Sequence, residues 1–414
     1  MQILMTNWVY LPEFSGAAIQ CHRLSQALRT LGVNVKVLTG THESGLVGQD
    51  SVDGIPVYRI LRDRSSFSGQ VKYWWEIEKY IHKHRKIFNV VHTHGFHPRI
   101  NMAAKRAGLP VLQKITAHHL DDPIAVQHRP LGKFKYRIYD KADAVVPTSK
   151  LLEEACQASP LSQNRIIRIS NGVDVDIFHP VPKQEKARLV EKFHTSKDKV
   201  VLLVVGSVSY RKGLDMLVHA IHELEDELKD KIRLWIVGPT HNQNNFGKSD
   251  PSFNQFTDSI RSLIGQLSLE HVVQFKGRQN NIQEYMQAAD VFVHPSRNEG
   301  QPNSILEAMA CGLPAVANLL PGITDEIIQT GRFGYLVNCQ DTQTFAAALR
   351  VLVNNASLRE RLGHQARRHI LRHYDIRKIA QRYISVYSSI FHKDAFENVK
   401  PRSLIWKKML TWKE

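Results

Sequence analysis

The sequence predicts an α/β fold with two doubly wound domains, each built on a parallel sheet between layers of helices. Short apolar runs alternate with stretches of helical periodicity along most of the 414 residues. This alternation is interrupted at 178–199, a stretch with prolines and many charges, and begins again near residue 199. A chain of this length holds two or three domains, so we place a boundary near residue 180.

The first half of the chain contains the elements of one such domain. Apolar runs predict strands at 1–5, 33–38, 57–60, 90–93, 111–116, 144–147 and 166–169. A helix is predicted over 21–31, where Leu24, Leu28 and Leu31 recur at helical spacing before Gly32 ends it.

The second half repeats the pattern. Continuous apolar runs, typical of strands buried on both faces, occur at 200–205, 233–237, 272–275, 291–294 and 315–317. Beyond residue 342 the chain is predicted to be mostly helical to about residue 391. Two parallel sheets side by side place the carboxyl ends of their strands, and therefore their ligand sites, at the cleft between the domains.

The composition excludes several classes of protein. Apolar residues make up 43% of the chain and charged residues 23%, which is typical of globular domains and not of a disordered chain. The four cysteines lie far apart without a C-x-x-C pair, which excludes a disulfide framework and a zinc ribbon. No apolar run approaches the ~18 residues of a membrane-spanning helix, and the N-terminus lacks the features of a signal peptide. We expect a cytoplasmic protein.

The net charge of +16 is concentrated at the two ends of the chain. Residues 1–180 carry +8, residues 181–358 carry −1 and residues 359–414 carry +9. The neutral middle and the lack of a nucleic-acid-binding motif argue against DNA or RNA as a partner. Basic flanks favour a more local anionic partner, such as a membrane surface.

One polar loop followed by a helix, residues 299–314, has the features of an anion site. We expect a helix with Asn303 as its N-cap residue. Its free backbone N–H groups at 304–306 and the positive end of its dipole suit a phosphate. The carboxylates of Glu299 and Glu307 flank this turn, where they can accept hydrogen bonds from sugar hydroxyls. Alone, two glutamates at this spacing are more often surface charges.

A second loop places two cations at the start of a helix. Arg211, Lys212 and Gly213 follow the strand at 200–205 and precede a predicted helix at 214–224. Cations at a helix N-terminus hold a pyrophosphate and neutralise charge that develops on a leaving phosphate. Without such a context, a basic pair is more often solvated surface.

Taken together, these strings resemble the motifs of the retaining family 4 glycosyltransferases, which have the two-domain GT-B fold. The resemblance covers residues 1 to about 392. In chain order, the matching strings are Asn171-Gly-Val-Asp174 with Phe178 (the end of the first domain), Gly206 to Gly213 (the donor-phosphate loop), Gly238-Pro239 (a turn closing a strand) and 299–314 (the E-x7-E signature).

The resemblance implies retaining transfer of a sugar from a nucleotide-diphosphate sugar to an acceptor hydroxyl, without a metal or another cofactor. The first domain, at 1–180, takes the acceptor in this family. A crossover helix, expected at about 376–392, returns to that domain. The second domain, at 181–375, takes the donor, and 393–414 would be a basic amphipathic tail.

The resemblance also implies roles for individual residues. Glu307 would bind the ribose, Lys212 with Arg211 the pyrophosphate, and Glu299 the hydroxyls of the transferred sugar as a catalytic residue. The other donor-binding residues would be Gly16, Ser207, Asn303, Ser304 and Ile305.

The sequence departs from the family pattern at three positions. The family usually has arginine where Ser207 stands, and we expect Arg211 to supply the missing guanidinium. The family usually has two consecutive glycines at the turn after the first strand, and only Gly16 is present here. We therefore expect the backbone to approach the substrate closely at Gly16 alone. Pro302 lacks an N–H group, so the donor loop has one fewer backbone donor.

Histidines end the strand at 90–93. His92 and His94 face the same side of the sheet, and the resemblance implies that His94 contacts the acceptor or the transferring sugar as a second catalytic residue. His92 is expected to be structural. An alternative is a metal-dependent hydrolase, because two histidines at this spacing after a strand can supply the first two ligands of a metal ion. Its further ligands would come from His118, His119, Asp121 and Asp122.

Two basic segments also contain aromatic residues. Residues 72–86 and 402–413 mix tryptophan with lysine in the manner of interfacial membrane helices, although a solvated helix face has the same pattern. We therefore expect a peripheral protein on the inner face of a membrane. A lipid-linked or growing surface polysaccharide is the expected acceptor.

Overall fold

The structure, a computed structural model, describes residues 1–13, 15–63, 65–240 and 251–392. Its first sheet has seven strands in the order β3-β4-β2-β1-β5-β6-β7, all parallel except β3, which is antiparallel to β4. These strands are β1 (Gln2–Asn7), β2 (Asn34–Thr41), β3 (Gly48–Val52), β4 (Ile55–Leu61), β5 (Val90–His94), β6 (Val111–Ile115) and β7 (Ala144–Pro147).

Six helices belong to the same part of the chain. They are α1 (Gly16–Thr30), α2 (Phe67–His84), α3 (Pro98–Arg106), α4 (Pro123–Gln127), α5 (Gly132–Tyr139) and α6 (Lys150–Gln157). The residues of this domain form two apolar cores, one on each face of the sheet, as the doubly wound prediction requires.

The second sheet has six parallel strands in the order β10-β9-β8-β11-β12-β13. They are β8 (Val200–Val205), β9 (Ile232–Val237), β10 (Val273–Gly277), β11 (Val291–His294), β12 (Ala315–Asn318) and β13 (Gly334–Val337). The helices after the first domain are α7 (Lys183–Lys192), α8 (Leu214–His222), α9 (Asp226–Lys231), α10 (Pro251–Gln266), α11 (Ile282–Ala288), α12 (Asn303–Ala310), α13 (Thr342–Asn354), α14 (Ala356–His373) and α15 (Ile376–Phe391).

Helix α15 packs on the first domain and not on the sheet that precedes it in the chain. Its apolar side chains, including Ile379 and Tyr383, lie in the core formed by Ile3 and Met5 of β1 and by helix α1. The last helix therefore connects the second part of the chain back to the first sheet.

Three sequence predictions differ from the structure. Residues 166–169 form no regular strand, although they run beside β7: Ile166 makes an isolated bridge to Val145, and the backbone N–H groups of Ile167 and Ile169 donate to the carbonyl oxygens of Val145 and Pro147. The sequence pattern does not predict strands β3 and β13. In β3 the reason is its polar composition at the edge of the sheet, where no apolar run marks the strand. The supposed linker contains α7, whose Leu189 and Val190 pack in the second domain's core.

Within the described residues, no helix is both long enough and apolar enough to cross a membrane. The predicted tail at 393–414 lies outside the residues that the structure describes.

Candidate active site

A cleft of about 1020 Å³ separates the two sheets at the carboxyl ends of their strands. The first domain contributes the loops after β1, β2 and β6 and the start of α1, and the second contributes the loops after β8, β9, β10 and β11. Parallel sheets bind ligands at this edge, so the topology accounts for the position of the cleft.

Glu299 is the centre of a charged cluster on the second-domain side of the cleft. Its Oε1 atom accepts hydrogen bonds from Nζ of Lys212 at 2.7 Å and lies 2.9 Å from Nη1 of Arg211. Nε2 of His294, at the end of β11, lies 3.5 Å from the same oxygen. The two loops predicted separately from the sequence therefore meet.

The electrostatics of this cluster keep Glu299 ionised. Burial would raise its pKa, but the amine of Lys212, the His294 imidazole and the guanidinium of Arg211 hold that pKa well below its usual value. Burial lowers the pKa of His294, which favours the neutral ring. The cluster thus combines one carboxylate with two cations, which leaves positive charge for an anionic ligand.

The backbone before α8 is shaped by glycine. Lys212 lies in a short 3₁₀ turn, and Gly213, at φ +66°, precedes the helix in the left-handed conformation. A Cβ at Gly213 would overlap the carbonyl oxygen of Pro295, so only glycine fits. This turn directs Lys212 into the cleft beside Gly206 and Ser207, which also line it.

Helix α12 begins one residue earlier than predicted. Pro302 occupies the N-cap position and Asn303 is the first helical residue, so Asn303 does not cap the helix. Its side chain instead joins the domains: Oδ1 accepts a hydrogen bond from Nδ2 of Asn171 at 2.9 Å, and Nδ2 donates to the carbonyl oxygen of Gly16 at 3.3 Å.

Glu307, the second glutamate of the signature, is engaged across the cleft. Its Oε1 atom forms an ion pair of 2.6 Å with Nη2 of Arg23 on α1, and both side chains are largely buried. The guanidinium of Arg23 also stacks 5.0 Å from the ring of Phe178. The sequence offered no signal for this partner, because Arg23 lies on a helix of the other domain.

Most of the predicted donor-binding residues reach the cleft, and one does not. Gly16, Ser207, Arg211, Lys212, Glu299, Asn303, Ser304 and Glu307 all line it. Ile305 lies in the apolar core of the second domain, and its backbone N–H donates to the carbonyl oxygen of Pro302 at 3.2 Å. Its side chain therefore does not contact a ligand in the cleft.

His94 lies beneath the cleft and not in its lining. The side chain has no exposed surface and stacks on His92 at 4.3 Å, and burial lowers the pKa of both rings well below the usual value. A hydrogen bond of 2.6 Å joins Nδ1 of His92 to the hydroxyl of Tyr387 on α15. This contact fits the structural role expected for His92. The first-domain histidines that line the cleft are His42, after β2, and His118, after β6.

The metal-binding alternative finds no support in the part of the chain that the structure describes. No group of three or more potential ligands of the His, Cys, Asp and Glu types lies within metal-binding distance there. The carboxylate of Asp121 instead accepts hydrogen bonds from the backbone N–H groups of Thr116 and Ala117 at 2.9 and 2.7 Å. Asp121 therefore holds the loop after β6 in shape.

Comparison with known proteins identifies the fold and the family. "Glycosyl transferase 4-like domain" matches residues 15–172 and "Glycosyl transferases group 1" matches residues 185–369. An uncharacterized glycosyltransferase of Methanocaldococcus jannaschii is 24% identical over 94% of this chain and 98% of its own. D-inositol 3-phosphate glycosyltransferase of Stackebrandtia nassauensis is 30% identical over 69% of this chain and 65% of its own. The crystal structure of Anabaena HepE with UDP and glucose superposes with a TM-score of 0.75 at 18% identity and covers 94% of this chain and all of that one.

The two facing domains and the charged cleft thus define a glycosyltransferase of the GT-B fold, as the sequence predicts. The chain belongs to the group 1 glycosyltransferases of family 4.

Proposed function

We propose that the protein is a retaining, metal-independent hexosyltransferase that moves a sugar from a nucleotide-diphosphate sugar to an acceptor hydroxyl. The observation that carries this proposal is the cluster of Lys212 and Arg211 on Glu299 at the cleft. Two cations beside one carboxylate leave a net positive charge that can neutralise a pyrophosphate. In other enzymes a divalent metal ion neutralises this charge.

The donor is assigned to the second domain. Lys212, with Arg211, binds the pyrophosphate, and the first turn of α12 at Ser304 adds backbone N–H groups and the helix dipole. Glu307 accepts hydrogen bonds from the ribose, and Glu299 from the transferred sugar. The structure of HepE, which contains UDP and glucose, supports a nucleotide-sugar donor and makes UDP the first nucleotide to test.

The retaining step is proposed as a front-face displacement. The bond between the anomeric carbon and the phosphate oxygen breaks while the acceptor hydroxyl oxygen bonds to that carbon on the same face. The hydroxyl proton goes to the departing phosphate oxygen, and Lys212 and Arg211 neutralise the charge that develops there. This route needs no protein nucleophile and no cofactor.

The first experiment is thermal unfolding with EDTA present and with UDP, GDP, ADP, CMP or dTDP added. A ligand at ~100 times its Kd stabilises by about 2.7 kcal/mol, which raises a domain's unfolding midpoint by several degrees. We expect one nucleotide to do so in the wild type and in Glu227→Gln, a control with an exposed glutamate on α9. Glu307→Gln should lose the shift. If no nucleotide shifts the midpoint, or if Glu307→Gln keeps the full shift, the assignment of the donor site is wrong.

The acceptor is proposed to be lipid-linked, as in the assembly of a surface polysaccharide, at the inner face of a membrane. Helix α2 supports this proposal, because it exposes Phe67, Val71 and Trp75 beside lysines such as Lys79, whose amine lies 4.5 Å from the ring of Trp75. Co-sedimentation with vesicles of anionic and of neutral lipid tests it. Anionic vesicles should retain the wild type and lose Trp75→Ser, and equal retention of both proteins would exclude α2 as the contact.

A further inference from the structure

Lys114 is a buried cation at the bottom of the cleft. It lies at the end of β6, lines the cleft and is 2% exposed. Within the described residues, its amine has no hydrogen-bond acceptor and no carboxylate partner, and it lies 5.7 Å from the centre of the Tyr383 ring. Neither the sequence motifs nor the donor site accounts for this residue.

An unpaired charge at such a position is unusual. Two other partly buried lysines of this protein are paired with carboxylates: Lys105 with Asp143 at 2.8 Å, and Lys186 with Asp290 at 2.7 Å. Burying a charge without a partner costs several kcal/mol, which an anion arriving in the cleft offsets. Burial lowers the pKa of Lys114 to about 8, so the amine remains mostly protonated at neutral pH.

Polar atoms without partners surround the same position. His94 lies opposite Lys114 in the register of β5 and β6, and His92 lies on the same face of β5. Both ring nitrogens of His94 and Nε2 of His92 are buried without a hydrogen-bond partner among the described residues. Native interiors rarely leave such atoms unsatisfied, which is an independent sign that oxygen atoms of a ligand or water belong here.

The location assigns the site to the acceptor side. The groups that interact electrostatically with Lys114 are Cys21, His92 and His94, all in the first domain. The groups that act on Glu299 are Lys212, Arg211 and His294, all in the second domain. Lys114 is therefore separate from the cluster proposed to bind the donor's pyrophosphate. The N-terminus of the 15-residue helix α1 lines the same part of the cleft and adds its positive dipole.

We propose that Lys114 binds an anionic group of the acceptor, so that the acceptor is a phosphorylated or carboxylated molecule and not a neutral glycan. The identification of this anion as part of the acceptor rests on the proposed function. A phosphate or a carboxylate provides the oxygens that the Lys114 amine needs, and the buried charge of this amine selects against acceptors without a negative charge.

The test measures anion binding while the nucleotide found above, UDP first, saturates the donor site. Sodium phosphate or sodium malonate is titrated at constant ionic strength into the wild type, Lys114→Met and Lys36→Met, and thermal unfolding is followed. Lys36 is a matched control because it lies on β2 of the same sheet, outside the cleft lining. Lys114→Gln is a second variant in case the methionine variant does not fold.

An anion at ten times its Kd should raise the midpoint by about 3–6 °C in the wild type and in Lys36→Met, and by less than a third of that in the Lys114 variants. A response to phosphate alone identifies a phosphorylated acceptor, and a response to malonate alone identifies a carboxylated one. If neither anion stabilises the wild type, or if the Lys114 variants keep the full shift, the proposal is overturned. A missing nucleotide shift, by contrast, refutes the donor assignment and leaves the comparison of Lys114 with Lys36 intact.

Discussion

Arg23 connects the proposed ribose-binding carboxylate to the opposite domain. The ion pair with Glu307 spans the cleft at 2.6 Å and engages one oxygen of the carboxylate. Such a pair orients the carboxylate, so that its second oxygen can accept from a ribose hydroxyl. It also couples nucleotide binding to the contact between the two domains. Arg23 is therefore a positioning residue.

Arg23→Met should weaken nucleotide binding. A charge-assisted hydrogen bond contributes about 1.5–3 kcal/mol. The loss on substitution is smaller than this, because water hydrates the Glu307 carboxylate once the arginine is removed. We expect the Kd for the nucleotide to rise about fivefold to tenfold, with partial rescue in Arg23→Lys. Isothermal titration calorimetry measures the change, and Arg29→Met, on the exposed side of the same helix, is the control. Tighter binding in Arg23→Met would mean that the arginine competes with the ribose.

The site was predictable from the sequence where its residues lie close together along the chain. Glu299 and Lys212 were found because their loops follow apolar strands and precede helices, which is a local pattern. Arg23 and Lys114 lie in no such local pattern. Folding places Arg23 beside Glu307 of the other domain and leaves Lys114 without a carboxylate among the described residues, and neither outcome can be read from neighbouring residues in the chain. His94 is the last residue of β5 and is buried, whereas His118 lies in the loop after β6 and lines the cleft; alternation along a strand does not report such depth.

At the scale of elements, the loop before α12 touches the loop after β6 across the cleft. Gly300 lies so close to Thr116 that a Cβ would overlap the carbonyl oxygen of Thr116. Asn303, expected as a helix cap, makes its hydrogen bonds to the other domain in the same region. Tertiary contacts have thus overridden the local preference of asparagine, which a single sequence does not reveal.

Gly300→Ala should obstruct closure without unfolding either domain. Overpacking of this kind costs about 1–3 kcal/mol. We expect this cost to act on the arrangement in which the two loops touch, because an opened cleft would separate them. We expect kcat for sugar transfer to fall about tenfold or more, while the nucleotide-induced shift of the unfolding midpoint is retained. Gly45→Ala is the control, since a Cβ there meets no atom within 4 Å. Unchanged transfer would show that the two loops need not approach this closely.

At the scale of the whole molecule, buried neutral histidines are distributed unequally between the domains. His92, His94 and His97 of the first domain are fully buried, and burial lowers their pKa values, that of His97 to about 3. In the second domain, burial lowers the pKa of the buried His294 and, to about 4, that of the partly buried His369. Acid should therefore act on the two domains to different extents.

Proton uptake on unfolding decides whether stability rises or falls with pH. These histidines are neutral in the folded state and take up protons on unfolding below their usual pKa of about 6.5, so stability is lost as pH falls below that value. Each group contributes about 1.4 kcal/mol per pH unit, which sets an upper limit of about 4 kcal/mol per unit for the three histidines of the first domain.

We therefore expect acidification from pH 7 to pH 5 to open the first domain before the second. Hydrogen exchange followed by mass spectrometry separates the two, since a single unfolding free energy does not describe a chain of two domains. His97→Phe, which preserves stacking on Trp8, should reduce the acid sensitivity of the first domain by about a third, as one of three such groups is removed. His222→Phe, at an exposed position on α8, should leave it unchanged. Simultaneous opening of both domains would mean that the interdomain contacts, such as Arg23 with Glu307, and not the buried histidines, govern the response of the molecule to acid.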